Sequence, residues 1–316
     1  MKKLFIAAMA VAAMASCAQE EVILNNNKAI EFGDAFVNNA TKAIYETAND
    51  ITGFTVWGNV KGEGVSTPVA LYGETGATVE RRGAALGVAW SCSEIRYWTP
   101  VCDYNFVAIA NGTAAEVVNG VPTKIAYTVN TVDPADLIYG ATTAATDVNC
   151  TPTPGAVVNF TMHHLLSRIK LSFLNSVAGG DYTYEITGVK VTTWEKGIHT
   201  IGAETPWAQD GTTSAVLNFN DVPDLTNIAT ATLVGDKLVI PGSAVTLEFA
   251  YNEKLNGTTF RKATVTKTAV VVPEQNYSYN ITVEFSKENE IKFTIDSANG
   301  LGGFTDADPE PEVDIQ

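Results

Sequence analysis

The side chains able to do covalent or metal chemistry are few in this 316-residue chain: four cysteines and three histidines. Cys17, Cys92, Cys102 and Cys150 offer thiols, and His163, His164 and His199 offer imidazoles. No Cys-x-x-Cys pair and no Cys/His ligand spacing is present, so a zinc site has no sequence support. His163 and His164 sit beside Leu165 and Leu166, which reads as packing and not as a base or a metal ligand. Asp306 and Asp308 resemble a fragment of a calcium loop but lack its glycine and closing glutamate, which leaves an acidic tail. No nucleophile elbow and no metalloprotease motif occurs, and Gly300-Leu301-Gly302-Gly303 is followed by neither a lysine nor a helix start. The expectation is a protein with no catalytic residues, no metal and no cofactor. Trp57, Trp90, Trp98, Trp194 and Trp207 are scattered and read as core or interface. Asp296-Ser297-Ala298 matches a short O-glycosylation motif that chance also supplies.

Cys17 stands in a different context. Lys2 and Lys3 precede an apolar run from Leu4 to Ala15, the length of a signal-peptide core and too short to span a bilayer. Met14-Ala15-Ser16-Cys17 is similar to a bacterial lipobox, which makes residues 1–16 a signal peptide and Cys17 the acylated first residue of the exported chain. Export changes the reading of the other thiols, because an oxidising compartment favours disulfides. Three cysteines cannot all pair within one chain, which leaves one bridge or none. Cys92 and Cys102 could face each other across a hairpin, or serve as small buried apolar residues.

The chemistry therefore lies in the backbone. The chain has 46% apolar and 17% charged residues, enough to bury a core, and 35 acidic against 20 basic residues. Its formal charge of -15 disfavours nucleic acid as a partner, since phosphate contacts need concentrated positive charge. From Lys28 the side chains alternate, with Ile30, Phe32, Ala35 and Val37 on the pattern of a half-buried strand that runs into Thr41-Lys42-Ala43. Short turn-bounded runs follow: Phe54 to Val60, Val69 to Tyr72, Tyr104 to Ala110, Lys124 to Val129, and seven more between Tyr182 and Ile295. Helical periodicity is confined to a short candidate at His163 to Arg168 and a turn near Pro134 to Leu137. The fold class is all-β. Pro152, Pro154 and Gly155 break the strand pattern once, which predicts two β-sandwich domains, residues 43–155 and 156–316.

Four stretches, in this order and spacing, resemble the fimbrillin family of Bacteroidota, the Mfa-like and FimA-like pilins and related surface lipoproteins. They are the lipobox at Cys17 and Ala29-Ile30-Glu31-Phe32 followed by Thr41-Lys42-Ala43. The third is Phe160-Thr161-Met162-His163-His164-Leu165-Leu166-Ser167-Arg168-Ile169-Lys170-Leu171, and the fourth is Tyr277-Ser278-Tyr279-Asn280-Ile281-Thr282-Val283. The resemblance implies two transthyretin-like sandwiches and a precursor anchored by lipid in the outer membrane. It also implies a propeptide of residues 17–42, cut between Lys42 and Ala43 by a trypsin-like protease. Ile30, Phe32 and Val37 then belong to a removable strand, and Ile291, Phe293 and Ile295 to a candidate donor strand that fills the vacated groove of another subunit by strand addition. The partners are copies of the chain or other pilin subunits in an adhesive fimbria at the cell surface. Lysine stands where the family often has arginine, so a protease strict for arginine would leave Lys42 uncut. Arg81-Arg82 is a competing basic site, or a charged turn. The alternative reading is an uncleaved, lipid-anchored surface protein, an anchor, tip or stand-alone adhesin, that binds a glycan or a host protein.

Overall fold

The computed structural model describes residues 28–37, 51–82, 90–99, 102–132, 135–142, 157–177, 181–226, 230–287, 290–299 and 313–315. Among these the regular elements are strands, with no helix. The first ten are β1 (Phe32–Val37), β2 (Gly53–Gly62), β3 (Val69–Ala70), β4 (Ala77–Arg81), β5 (Trp90–Cys92), β6 (Cys102–Ala110), β7 (Thr113–Val118), β8 (Val121–Thr128), β9 (Ile138–Ala141) and β10 (Val158–His164). The next six are β11 (Ser167–Asn175), β12 (Tyr182–Trp194), β13 (Lys196–Thr200), β14 (Trp207–Gln209), β15 (Ser214–Asn218) and β16 (Val222–Leu225). The last six are β17 (Thr232–Val239), β18 (Val245–Leu255), β19 (Thr258–Val271), β20 (Tyr277–Lys287), β21 (Glu290–Asn299) and β22 (Val313–Ile315).

Four sheets form. The first runs β1-β10-β9-β6-β2-β4-β5, with β3 beside β2. The second is β14-β13-β8-β7, the third β17-β11-β20-β21-β22, and the fourth β15-β12-β18-β19 with β16 beside β12. Alternation explains the faces, because successive side chains of a strand point to opposite sides. In β11 every second residue from Ser167 to Asn175 is buried, and β18 keeps the same rhythm from Val245 to Glu253. Their inward rings close the space between the third and fourth sheets. Phe173 meets Phe249 at 5.0 Å between centroids, and Phe285 stacks on Tyr184 at 4.1 Å. Offset and edge-on contacts of this kind add about 0.5–1.5 kcal/mol per pair beyond the area they bury.

At β2 and β6 the first sheet is buried on both faces. Trp57, Val107 and Ile109 join the large core that also holds Phe173 and Phe249, while Phe54, Val56, Phe106 and Ala108 face a separate core with Phe160 and Met162. This is why β2 reads as an unbroken run of buried residues from Val56 to Asn59 and not as an alternation. Tight Asn-Gly turns close two of the hairpins. Asn119-Gly120 joins β7 to β8 and Asn256-Gly257 joins β18 to β19, all four residues at positive φ as a two-residue turn of the primed type requires.

Three expectations need correction. The helical candidate at His163 to Arg168 is the end of β10, a two-residue link at Leu165 and Leu166, and the start of β11, so the chain makes no helical turn there. The sheets do not divide at residues 155 and 156: β10 lies beyond that point yet pairs with β1 and β9 in the first sheet, and the crossover to the third sheet falls at Leu165. Residues of both halves also share one sheet, because β8 pairs with β13 from Thr128↔Lys196 to Lys124↔Thr200. Finally, Cys92 and Cys102 are free thiols and do not face each other across a hairpin. Cys92 pairs with Val79 on β4 and Cys102 with Gly62 on β2.

Because one core and one shared sheet cross the expected boundary, thermal unfolding of the whole chain is expected to be a single transition in calorimetry. Phe285→Ala, which removes a ring packed on Tyr184, Tyr251 and Phe249, should lower its stability by about 3–5 kcal/mol. Two separate transitions, only one of them shifted, would contradict the shared core.

Candidate functional site

The segment from Lys28 to Val37 is stitched to the first sheet on two sides. Ile30 N–H donates to Arg96 O at 2.7 Å and Trp98 N–H to Lys28 O at 3.0 Å, with a bridge between Ala29 and Tyr97. Val158 N–H then donates to Glu31 O at 2.8 Å, and β1 continues in parallel along β10 with Phe32↔Val158, Ala35↔Phe160, Phe36↔Thr161 and Val37↔Met162. A parallel pair is slightly less stable per residue than an antiparallel one. The pairing also breaks register between Phe32 and Ala35, where Gly33 passes so close to β10 that an added Cβ would meet Asn159 Oδ1. A side chain there would have to displace those of Asn159 and Val157.

Side chains hold this edge strand more firmly than its short ladder does. Ile30 and Phe32 are 4% and 5% exposed. The Phe32 ring contacts Phe160 at 6.1 Å, Phe106 at 5.8 Å and Phe54 at 6.4 Å, three rings from three other strands of the same sheet, and Tyr72 at 6.5 Å. The strand at the rim thus supplies the centre of the second core. Taking it away would uncover Phe54, Phe106 and Phe160 together with the hydrogen-bonding edge of β10.

The other residues singled out from the sequence fall in different places. Cys17, Lys42, Ala43, Cys150, Asp306 and Asp308 lie outside the described residues. Ile291, Phe293 and Ile295 belong to β21, paired with Phe285, Val283 and Ile281 of β20. Phe293 is buried and the two isoleucines are half-buried, so this strand is the fourth member of the third sheet, and β22 lies along its outer edge at Ile291 to Phe293. Asp296-Ser297-Ala298 lies within the same strand and not in a loop. Arg81 ends β4 with its guanidinium 5.1 Å from the Trp90 ring centre, and Arg82 is exposed.

Of the two histidines read as packing residues only His164 is buried, whereas His163 is exposed and His199 is the second buried imidazole. His164 is buried with Asp136, Nδ1 to Oδ2 at 2.5 Å, where the chain crosses from the first sheet to the third. Burial pushes the Asp136 carboxyl up from its ordinary value, and the His164 hydrogen bond opposes the rise. His199 on β13 bonds Gln275 through Nε2 at 3.0 Å, and burial pulls its pKa down to about 4. Asp136 and Gln275 gave no signal in the sequence, because a buried partner of a histidine is recognised only by its position in space.

The fold and site define an all-β, multi-sheet protein whose N-terminal strand completes a core from the rim. The chain belongs to the fimbrillin-like family, whose model matches residues 40–297. Among solved structures it is similar to a fimbrial protein of Bacteroides vulgatus, at 17% identity over 87% of this chain and 100% of the other, with a TM-score of 0.58. A candidate cell adhesion protein of Bacteroides uniformis matches at 11% identity over 87% and 98%, with a TM-score of 0.49. The fimbrial anchor protein Mfa2 of Porphyromonas gingivalis matches at 10% identity over 81% and 89%, with a TM-score of 0.38. No curated protein sequence matches the chain.

Two outcomes follow for measurement. Phe32→Ala should cost about 3–5 kcal/mol in urea unfolding, far more than an edge position ordinarily does; a loss below about 1 kcal/mol would mean that the ring is not part of the core. His199 should make stability fall with acid. Its folded pKa of about 4 lies below the ordinary 6.5, so the unfolded chain binds more protons between these values and stability drops as pH falls through that window, with no effect above it. His199→Gln should flatten this part of the pH profile.

Proposed function

We propose that this chain is the precursor of a fimbrial subunit, exported as a lipoprotein through Cys17, cut after Lys42, and polymerised by donor-strand exchange at the cell surface. The observation that carries the reading is the position of Phe32. A strand at the rim of the first sheet fills the middle of a core, so its release leaves an apolar slot between Phe54, Phe106 and Phe160 and an unpaired edge on β10. An open edge beside an apolar slot is a strong template for another chain. The family match begins at residue 40, which leaves β1 outside it and Lys42 close to its start. A strand given by one subunit to the next makes a head-to-tail contact that does not close, and such contacts build filaments. The fimbrial relative of similar fold gives the reading its context, with adhesion as the service of the assembled fibre.

A second reading is favoured by one observation. The candidate donor strand β21 pairs with β20 from Tyr277↔Asn299 to Lys287↔Glu290, so donating it would break a long ladder within its own sheet. A subunit that keeps β21 gives no donor strand, and one left uncut at Lys42 also keeps β1 and stays lipid-anchored through Cys17, as an end subunit or a stand-alone surface protein.

Treatment of the purified precursor with a trypsin-like protease separates the two readings. The polymer reading predicts a new N-terminus at Ala43 and oligomers by gel filtration. A subunit cut at Ala43 that stays monomeric at high concentration contradicts the polymer reading, and a precursor that resists cutting at Lys42 while Arg82 is cut removes the proposed processing site and leaves the lipid-anchored reading.

A further inference from the structure

The segment that carries Phe32 has a second neighbour besides β10. β5 ends the first sheet on the side away from β1, and the stretch after it, Arg96 to Trp98, returns to hydrogen-bond with Lys28 to Ile30. β5 itself also lies beside β1. The sheet therefore closes on itself, with the segment from Lys28 to Phe32 as its seam. Ile30 N–H donates to Arg96 O and Trp98 N–H to Lys28 O on one flank, and Val158 N–H donates to Glu31 O on the other. Inside the closure Ile30, Phe32, Tyr72, Trp98, Phe106 and Phe160 are buried in one core.

Arg96 pins the second wall. Its Nε donates to Leu71 O at 2.6 Å, its guanidinium lies 6.0 Å from the Tyr72 ring centre, and Nη2 meets Glu94 Oε2 at 2.7 Å. The ion pair is half exposed and contributes little. The bond to Leu71 O is the fastening, because the next residue, Tyr72, is 1% exposed with its ring 6.5 Å from that of Phe32. Trp98 holds the far end of the wall, edge-on to Tyr104 at 4.6 Å and to Phe106 at 6.0 Å.

A strand lying here is gripped on both flanks, where a free sheet edge would offer one. It must also present two side chains from one face: a branched aliphatic at the place of Ile30 and, two positions on, a ring at the place of Phe32. Phe54, Tyr72, Phe106 and Phe160 surround that ring, so an aliphatic in its place leaves a cavity among four aromatics. In the last part of this chain Ile291-Lys292-Phe293 carries the aliphatic and the ring at this spacing, whereas Val313-Asp314-Ile315 carries no ring.

The geometry points to a two-walled seam as the acceptor. With β1 gone, the vacancy between β10 and the stretch Arg96–Trp98 takes a strand of another subunit that presents an aliphatic and an aromatic side chain two residues apart, and Arg96 is the positioning residue that keeps the second wall in place. In a second copy of this chain the matching stretch is Ile291 to Phe293. The inference rests on the release of β1 proposed above, and adds what the incoming strand must carry and where its second flank is bonded.

Hydrogen exchange on the uncut chain tests the second wall. Arg96→Ala should speed exchange of the Ile30 and Trp98 amides about five- to tenfold, while the Val158 amide on the other flank and the melting transition hold. Arg96→Lys, which keeps the charge and loses the planar donor, should fall between. Unchanged exchange at Ile30, or equal speeding at Val158, would overturn the role of Arg96. Strand entry is tested on the chain cut at a single protease site introduced at residues 39–43 and still holding its own N-terminal segment. Labelled peptides of residues 28–37 and 290–299 should replace that segment, and the Phe32→Ala form of the first and a peptide of residues 304–316 should do so at least about tenfold more weakly. Equal entry of either weak peptide would overturn the selection while leaving strand exchange standing, and entry by none, the native 28–37 sequence included, would overturn both.

Discussion

The packing of Phe32 is the constraint on which the first sheet depends. A strand at the edge of a sheet ordinarily contributes one hydrogen-bonded ladder and a few half-buried side chains. Here the edge strand sends a ring among Phe54, Phe106 and Phe160, so the core of one sheet is completed by its most N-terminal element. That element is held by a short parallel register with an interruption at Gly33, and by backbone bonds to the stretch from Arg96 to Trp98. The combination of strong side-chain anchorage and a modest ladder is what an exchangeable strand needs. It is well placed while present, and it leaves a shaped, apolar vacancy when absent.

The rest of the molecule is arranged so that the vacancy need not unravel it. β2 and β6 bury both faces, and Trp57, Val107 and Ile109 tie the first sheet to the large core. The second sheet takes β7 and β8 from before the crossover and β13 and β14 from after it. His164 and Asp136 clasp the crossover itself. Release of the rim strand, as proposed, would therefore leave a framework still fastened on its other face.

Much of the fold was legible, for a physical reason. Period-two alternation is strong where one face is buried and the other is wet, so β11, β18, β20 and the Ile30 and Phe32 positions could be read directly. Three of the four strands of the second sheet could not. Lys196 to Thr200 is short and contains a glycine, Trp207 to Gln209 has three residues, and Thr113 to Val118 is largely exposed, so none shows the alternation that marks a strand. The expected boundary rested on Pro152 and Pro154, which break the strand pattern in sequence but do not decide where β10 pairs. The cysteine hairpin failed for the same reason. Nearness of Cys92 and Cys102 in sequence says nothing about β4 and β2 taking them as separate partners. At the candidate site, Phe32 was visible as an inward position, whereas its three aromatic neighbours from distant strands were not.

The N-terminal sequence of the subunit recovered from assembled surface fibres bears most directly on strand removal. A start at Ala43, with Ile30 and Phe32 absent from the mature chain, is the result that the exchangeable-strand account predicts. Fibres whose copies of this subunit all begin at an acylated Cys17 and retain Phe32 would contradict it.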